Sequence, residues 1–302
     1  MCSLLRSLRF GVFGLATAVA AVGVAAWPAA AGAVVPGTNG KIVFQRCPGV
    51  LTCRIYSVNP NGTSPTLLAG GAVYNQTPAW SPNASQIAFA SNVSGSQQIW
   101  LMNANGTGKT ALTSGAANTE PAWSPDGSKL VFVSTRAGGE QLFVLSLAAK
   151  TLTQLTFSGL NESPAWSPSG TKIAFDRKTP AGDQLFVMPA TGGTAFQLTT
   201  GPSNNEEPAW SPSGTKLVFV SNRTGDHHLY VMPAAGGAIT TLTAGNFDDD
   251  QPAYSPDGTK IVFSSGRSGT DALWTINANG TSPTKLTTNP NFDDFSPDWG
   301  VL

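Results

Sequence analysis

Histidine and cysteine are nearly missing: the 302 residues hold two histidines, His227 and His228, and three cysteines. No His/Cys cluster has metal-ligand spacing, no Gly-x-Ser-x-Gly elbow marks a serine nucleophile, and no glycine-rich phosphate loop follows a strand and opens a helix. His227 and His228 sit side by side and read as polar residues of an exposed turn; half a metal site or a general base is the sharper alternative. Acids are absent from residues 1–33, and past that segment no apolar run reaches spanning length. Net charge is absent too, since 17 Lys and Arg balance 17 Asp and Glu.

The acid-free segment carries Arg6 and Arg9, runs apolar from Phe10 to Trp27 and ends in small residues, with Ala31-Gly32-Ala33 as the expected cleavage site. That is the order of a secretory signal peptide; an uncleaved anchor is the other reading. Cys2 lies too early to be a lipoprotein cysteine. The mature chain is expected outside the cytoplasm, whether periplasmic, in the cell envelope or extracellular, with no membrane span once the signal is removed.

What the chain does have is a repeat. Pro-Ala-Trp-Ser-Pro begins at Pro78, Pro121, Pro164 and Pro208, with a Tyr variant at Pro252, at spacings of 43, 43, 44 and 44. A degenerate copy, Ser296-Pro297-Asp298-Trp299-Gly300, closes the chain. Self-similarity at this period marks propeller blades. One copy shows four strands. Pro208-Ala209-Trp210-Ser211 is strand a, Lys216 to Val220 strand b, Leu229 to Met232 strand c and Ile239 to Thr243 strand d, with Gly, Pro, Asn and Asp turns between them. Strand b recurs around Phe44, Phe89, Phe132, Phe175, Phe219 and Phe263. The first strand b has no strand a before it, and the last strand a has no strand b after it. The sequence therefore predicts an all-β, six-bladed propeller over residues 34–302, closed by the C-terminal strand pairing into the N-terminal blade. The repeat aromatics Trp80, Trp123, Trp166, Trp210, Tyr254 and Trp299 are expected between blades as core rather than as a sugar-stacking array. Trp100 and Trp274 lie on strand c, where packing is again the default.

Beyond the signal, only Cys47 and Cys53 remain, flanking Pro48-Gly49 between two strands. In an exported chain they are expected to form a disulfide across the hairpin; a free thiol pair or a metal half-site are the alternatives.

These motifs resemble the TolB-like propeller family, whose copies run Pro-x-Trp-Ser-Pro-Asp-Gly-x-x-Ile-x-Phe. Pro121 to Gly127 matches it, as does Pro252 to Gly258 apart from Tyr254 at the Trp position; other copies depart at Ser169, Ser213 or Asn83-Ala84. The resemblance covers residues 37–302 and implies the fold. TolB carries an α/β domain ahead of its propeller, and no such domain is expected here. Similar repeats form the propeller of prolyl-oligopeptidase-like enzymes, whose hydrolase domain is likewise not expected.

Charge is polarised across the expected disc. Successive turns of an antiparallel blade alternate between its ends, so d–a and b–c connections share one face. That face takes fourteen of the seventeen acids against seven cations, while the other takes eight lysines against Asp126, Asp257 and Asp298. The d–a connections lead into strand a at the central channel, so an acidic mouth is expected, with Glu206, Glu207, Asp248, Asp249, Asp250, Asp293 and Asp294 as its binding residues. The alternative is that these acids merely solvate loops and pair with Arg136, Arg223 and Arg267. No catalytic residue and no metal ligand is assigned. Calcium held by Asp248–Asp250 and Asp293–Asp294 is the one cofactor such acids would suit, although no calcium-loop motif is present. A negative mouth repels nucleic acid. The expected function is an exported binding module presenting this mouth to a protein, peptide or cationic ligand. The alternative is a lyase or hydrolase acting on a glycan or lactone through carboxylates.

Overall fold

Short β-branched and aromatic runs broken by glycine and proline build 24 strands and, among the described residues, no helix. The computed structural model describes residues 34–49 and 52–302, so the predicted signal segment lies outside the described residues. The strands form six four-stranded antiparallel sheets. Five are sequential, as in Asn75–Trp80, Gln86–Ser91, Gln98–Asn103 and Thr110–Ala111. The sixth joins the two chain ends: Asp293–Val301 pairs with Asn39–Gly49, which continues into Thr52–Val58 and Thr66–Ala69. Ile42 lies opposite Trp299 and Val43 opposite Asp298, which is the expected closure. We number this blade 1 and the rest 2 to 6 in chain order. Outermost strands are only two to four residues long, which blunts the exposed edges.

The strand-b phenylalanines and all six repeat aromatics are buried, the latter spread over the core clusters between blades. Each inner strand carries a bulge, seen for instance where Gln76 pairs with Ala90 but Ala79 with Ala88. The extra residue is left-handed in every blade: Thr77, Glu120, Ser163, Glu207, Gln251 and Ser296 have φ between 48° and 58°. Proline follows each one. Lacking an N–H, it loses no ladder bond inside the bulge.

Left-handed backbone at a non-glycine residue costs about 1 kcal/mol or more. A hydrogen bond from the neighbouring blade offsets it. The N–H of Ser163 donates to Glu120 Oε2 at 2.7 Å, that of Gln251 to Glu207 Oε2 at 2.6 Å, and that of Ser296 to Gln251 Oε1 at 2.8 Å. Where the bulge residue is a serine, too short to reach, the residue after the strand-b phenylalanine takes over. Asp176 accepts from Glu207 N at 3.2 Å and Gln45 from Thr77 N at 3.0 Å. These bonds stitch five of the six blade boundaries around the channel; between blades 2 and 3 the Thr77 hydroxyl makes none.

Cys47 and Cys53 form the expected disulfide, with Cα atoms 4.2 Å apart. No helix of the described residues is long and apolar enough to cross a membrane.

Candidate functional site

The six inner strands superpose residue by residue, and this register sorts the predicted mouth acids by depth. Their first position holds Asn75, Asn118, Asn161, Asn205, Asp249 and Asp294. Asp249 and Asp294, expected with the exposed acids, are buried instead. Arg267 donates to both oxygens of Asp249 at 2.7 and 2.8 Å, and Arg46 to those of Asp294 at 2.6 and 2.7 Å. Burial raises both carboxyl pKa values despite these cations. Arg136 and Arg223, which were candidates to pair with mouth acids, bond Asn118 at 2.8 Å and Asn205 at 2.5 Å. Each of these arginines also lies over aromatic rings, as Arg136 does 5.2 Å from Phe143 and Arg267 4.8 Å from Trp274. Planar guanidinium groups stack well on such rings, so these are structural clips.

Asp248 and Asp293 precede that position and are half-buried. Their side chains accept backbone N–H groups of the preceding blade, from His227 at 3.1 Å and Asp271 at 3.2 Å. They fasten loops.

The histidines are not on an exposed turn. Both lie in the strand Asp226–Pro233, and His228 is buried edge-on to Phe247. His227 reaches across the blade boundary, its Nδ1 2.8 Å from Asp250 Oδ1. Burial opposes its positive charge, but the Asp250 bond and the charges of Asp250, Asp248 and Glu207 prevail and raise its pKa.

The second and third positions hold Glu162, Glu206 and Asp250, then Glu120 and Glu207. Glu120 is fully buried, and its Oε1 has no partner. Burial, then the repulsion of Glu162, Asp176 and Glu140, lifts its pKa well above the carboxylate range, against the Ser163 bond. Glu207 is pushed up to about 8 by burial and by Asp250, with the Gln251 bond and His227 pulling back and Asp176 adding to the rise. An acidic arc therefore runs across blades 3 to 6, from Glu120 through Glu162, Asp176, Glu206 and Glu207 to Asp250, with His227 among it. Blades 1 and 2 present Phe295, Gln45, Gln76 and Thr77 at the same depth.

Of the seven predicted residues, the structure brings Glu206, Glu207 and Asp250 into this arc and sets the other four apart. Glu120, Glu162 and Asp176, which the sequence placed on the acidic face without naming them as binding residues, join the arc, as does His227, which was read first as a turn residue. Aligning the copies of Asn-x-x-Pro-Ala-Trp by position would have found Glu120 and Glu162. Asp176 and His227 carry no such signal, because their place depends on the neighbouring blade. Among the described residues no group of three or more His, Cys, Asp or Glu is arranged to hold a metal.

Solved structures share this architecture. TolB from Acinetobacter baumannii aligns with a TM-score of 0.79 at 21% identity, over 89% of this chain and 68% of that one. A putative TolB from Agrobacterium tumefaciens gives 0.71 at 17%, over 87% and 99%. An oligogalacturonate lyase in complex with manganese gives 0.55 at 15%, over 85% and 75%. No curated protein matches the chain. The family model described as TolB beta propeller domain matches residues 63–161 and 154–248. With more than half of its length matched and six blades closed by the C-terminal strand, the chain belongs to the TolB beta-propeller family.

Proposed function

We propose that the protein is an exported binding module whose channel mouth receives a cationic group, supplied by a basic protein segment, a peptide or a small ligand. One observation carries this reading. Carboxyl groups of four adjacent blades, from Glu120 and Glu162 to Glu207 and Asp250, share one depth of the channel, and burial, then the charge of Asp250, pushes the Glu207 pKa up to about 8. A cation entering the arc relieves that repulsion, and the low-dielectric surroundings strengthen its attraction. The disulfide and the predicted signal peptide support export, and the mature chain then begins at residue 34.

The test is binding of a lysine-rich peptide by the parent and by a Glu206→Gln, Asp250→Asn double variant at several salt concentrations. The parent's affinity should fall with salt, and the variant should bind about tenfold more weakly with a shallower salt slope. Equal binding by both chains would remove the mouth from the function.

A catalytic reading has its own support in the same group. His227, oriented by Asp250 with its pKa raised, and Glu207, pushed up to about 8, are two groups that can hold and pass a proton near neutral pH. A lyase or hydrolase acting on a glycan or lactone would use such a pair. Turnover that vanishes in Glu207→Gln, while peptide binding persists, would favour it.

A further inference from the structure

The opposite, lysine-rich face carries a groove that the acidic mouth does not explain. On this face the a–b turns of successive blades interlock. Gly127, Gly170, Gly214 and Gly258 each pack against the turn proline of the preceding blade, Pro82, Pro125, Pro168 and Pro212. The ring is broken at blade 1, whose strands a and b come from opposite chain ends, so no turn joins them. Residues 37–39 cover the junction with blade 6, where Gly37 N donates to Pro256 O and Asn39 bonds Asp257. The junction with blade 2 receives no such cover. A groove of about 570 Å³ lies there, walled by Trp80, Leu68 and Val301 and edged by Lys41, Asn59 and Asn105.

Three features give the groove a chemistry. Its size falls in the range of small-ligand sites, commonly about 300–1,000 Å³. Its wall combines an aromatic ring, Trp80, with the aliphatic side chains of Leu68 and Val301; the buried indole N–H of Trp80 has no partner, as is also true of Trp166. Its rim offers Lys41 and two amides on a face dominated by lysine, where an anionic head is favoured and a cationic one is not. Leu302 lines the groove and is itself exposed.

We propose that this seam groove binds a small amphipathic anion, with its flat apolar body against Trp80 and Leu68 and its anionic head at Lys41. The site is separate from the channel mouth and needs no residue of it.

The experiment uses the full chain and calorimetric titration with 8-anilinonaphthalene-1-sulfonate, with uncharged N-phenyl-1-naphthylamine as the matched neutral probe. The sulfonate should bind saturably at one site and more tightly than the neutral probe. Lys41→Glu should weaken it roughly tenfold, as reversal of one exposed charge at close range allows. Thr66→Trp, which fills the groove from its exposed rim without touching the core, should abolish binding at an unchanged melting temperature. Asp250→Asn at the far mouth should leave it unaltered. The proposal is overturned by absence of one-site binding in the parent, by equal affinity for the two probes, or by binding that survives Thr66→Trp. Loss of peptide binding at the mouth would not bear on it.

Discussion

Replacing Glu207 by glutamine should stabilise the propeller, and by an amount that depends on pH. The Glu207 carboxyl is buried and bonds the left-handed Gln251 N–H at 2.6 Å. Glutamine keeps a carbonyl oxygen for that bond and carries no charge. The folded pKa is pushed from an ordinary 4.5 to about 8. Between these values the native state holds a proton that the unfolded chain has released, so parent stability falls as pH rises, by about 1.4 kcal/mol per unit. The variant lacks this loss. The two chains should be equally stable at pH 4.5, should differ by roughly 3 kcal/mol at pH 7, and by about 5 kcal/mol above pH 8. Salt should matter little, because the group is shielded from ions. Urea unfolding of both chains at pH 4.5, 6, 7 and 8.5 measures this directly. A variant no more stable than the parent at pH 8.5, or one offset equally at every pH, would refute the account of a neutral buried acid.

Other changes probe the rest of the frame. Asp298 is pushed up to about 6 by burial and the His227 pKa is raised as well, so both add stability that is lost as pH rises; the parent's urea midpoint should peak on the acid side of neutral. Asp249→Asn should cost within about 1 kcal/mol, because Asn118 and Asn205 already hold an arginine at the same position. Asp249→Ala should cost about 3 kcal/mol or more by stranding Arg267, and equal damage from both would contradict the clip. Ending the chain at Asp294 removes the closing strand and Trp299 together, so a drop of several kcal/mol is expected, and an unchanged melting temperature would argue against closure. Cys47→Ser with Cys53→Ser should cost about 2 kcal/mol, since a loop of sequence separation 6 restrains the unfolded chain only modestly, and mass spectrometry of unreduced protein checks the bond itself.

The blade count, the strand order within a blade and the closure by Pro297 to Trp299 were legible in the sequence, because a period near 44 residues admits few alternatives and unmatched strands at the two ends must meet. The burial of the repeat aromatics followed for the same reason, since a residue kept at one place in every copy meets the same wedge. The disulfide was legible too, from two cysteines bracketing one hairpin in a chain whose sequence predicts an export signal. Charge was legible only as a sum over faces. Whether an acid at the mouth is clipped by arginine or bonded to backbone depends on what the next blade places beside it, a contact between residues some 40 positions apart. Asp249 and Asp250 are adjacent in the chain, yet one is locked under Arg267 and the other faces His227, because successive strand residues point to opposite sides. His227 looked like a turn residue for the same reason: its partner lies across a blade boundary. Local pattern thus determined the architecture of this protein, and only tertiary packing decided which of its carboxylates are clipped by arginine and which gather in the acidic arc.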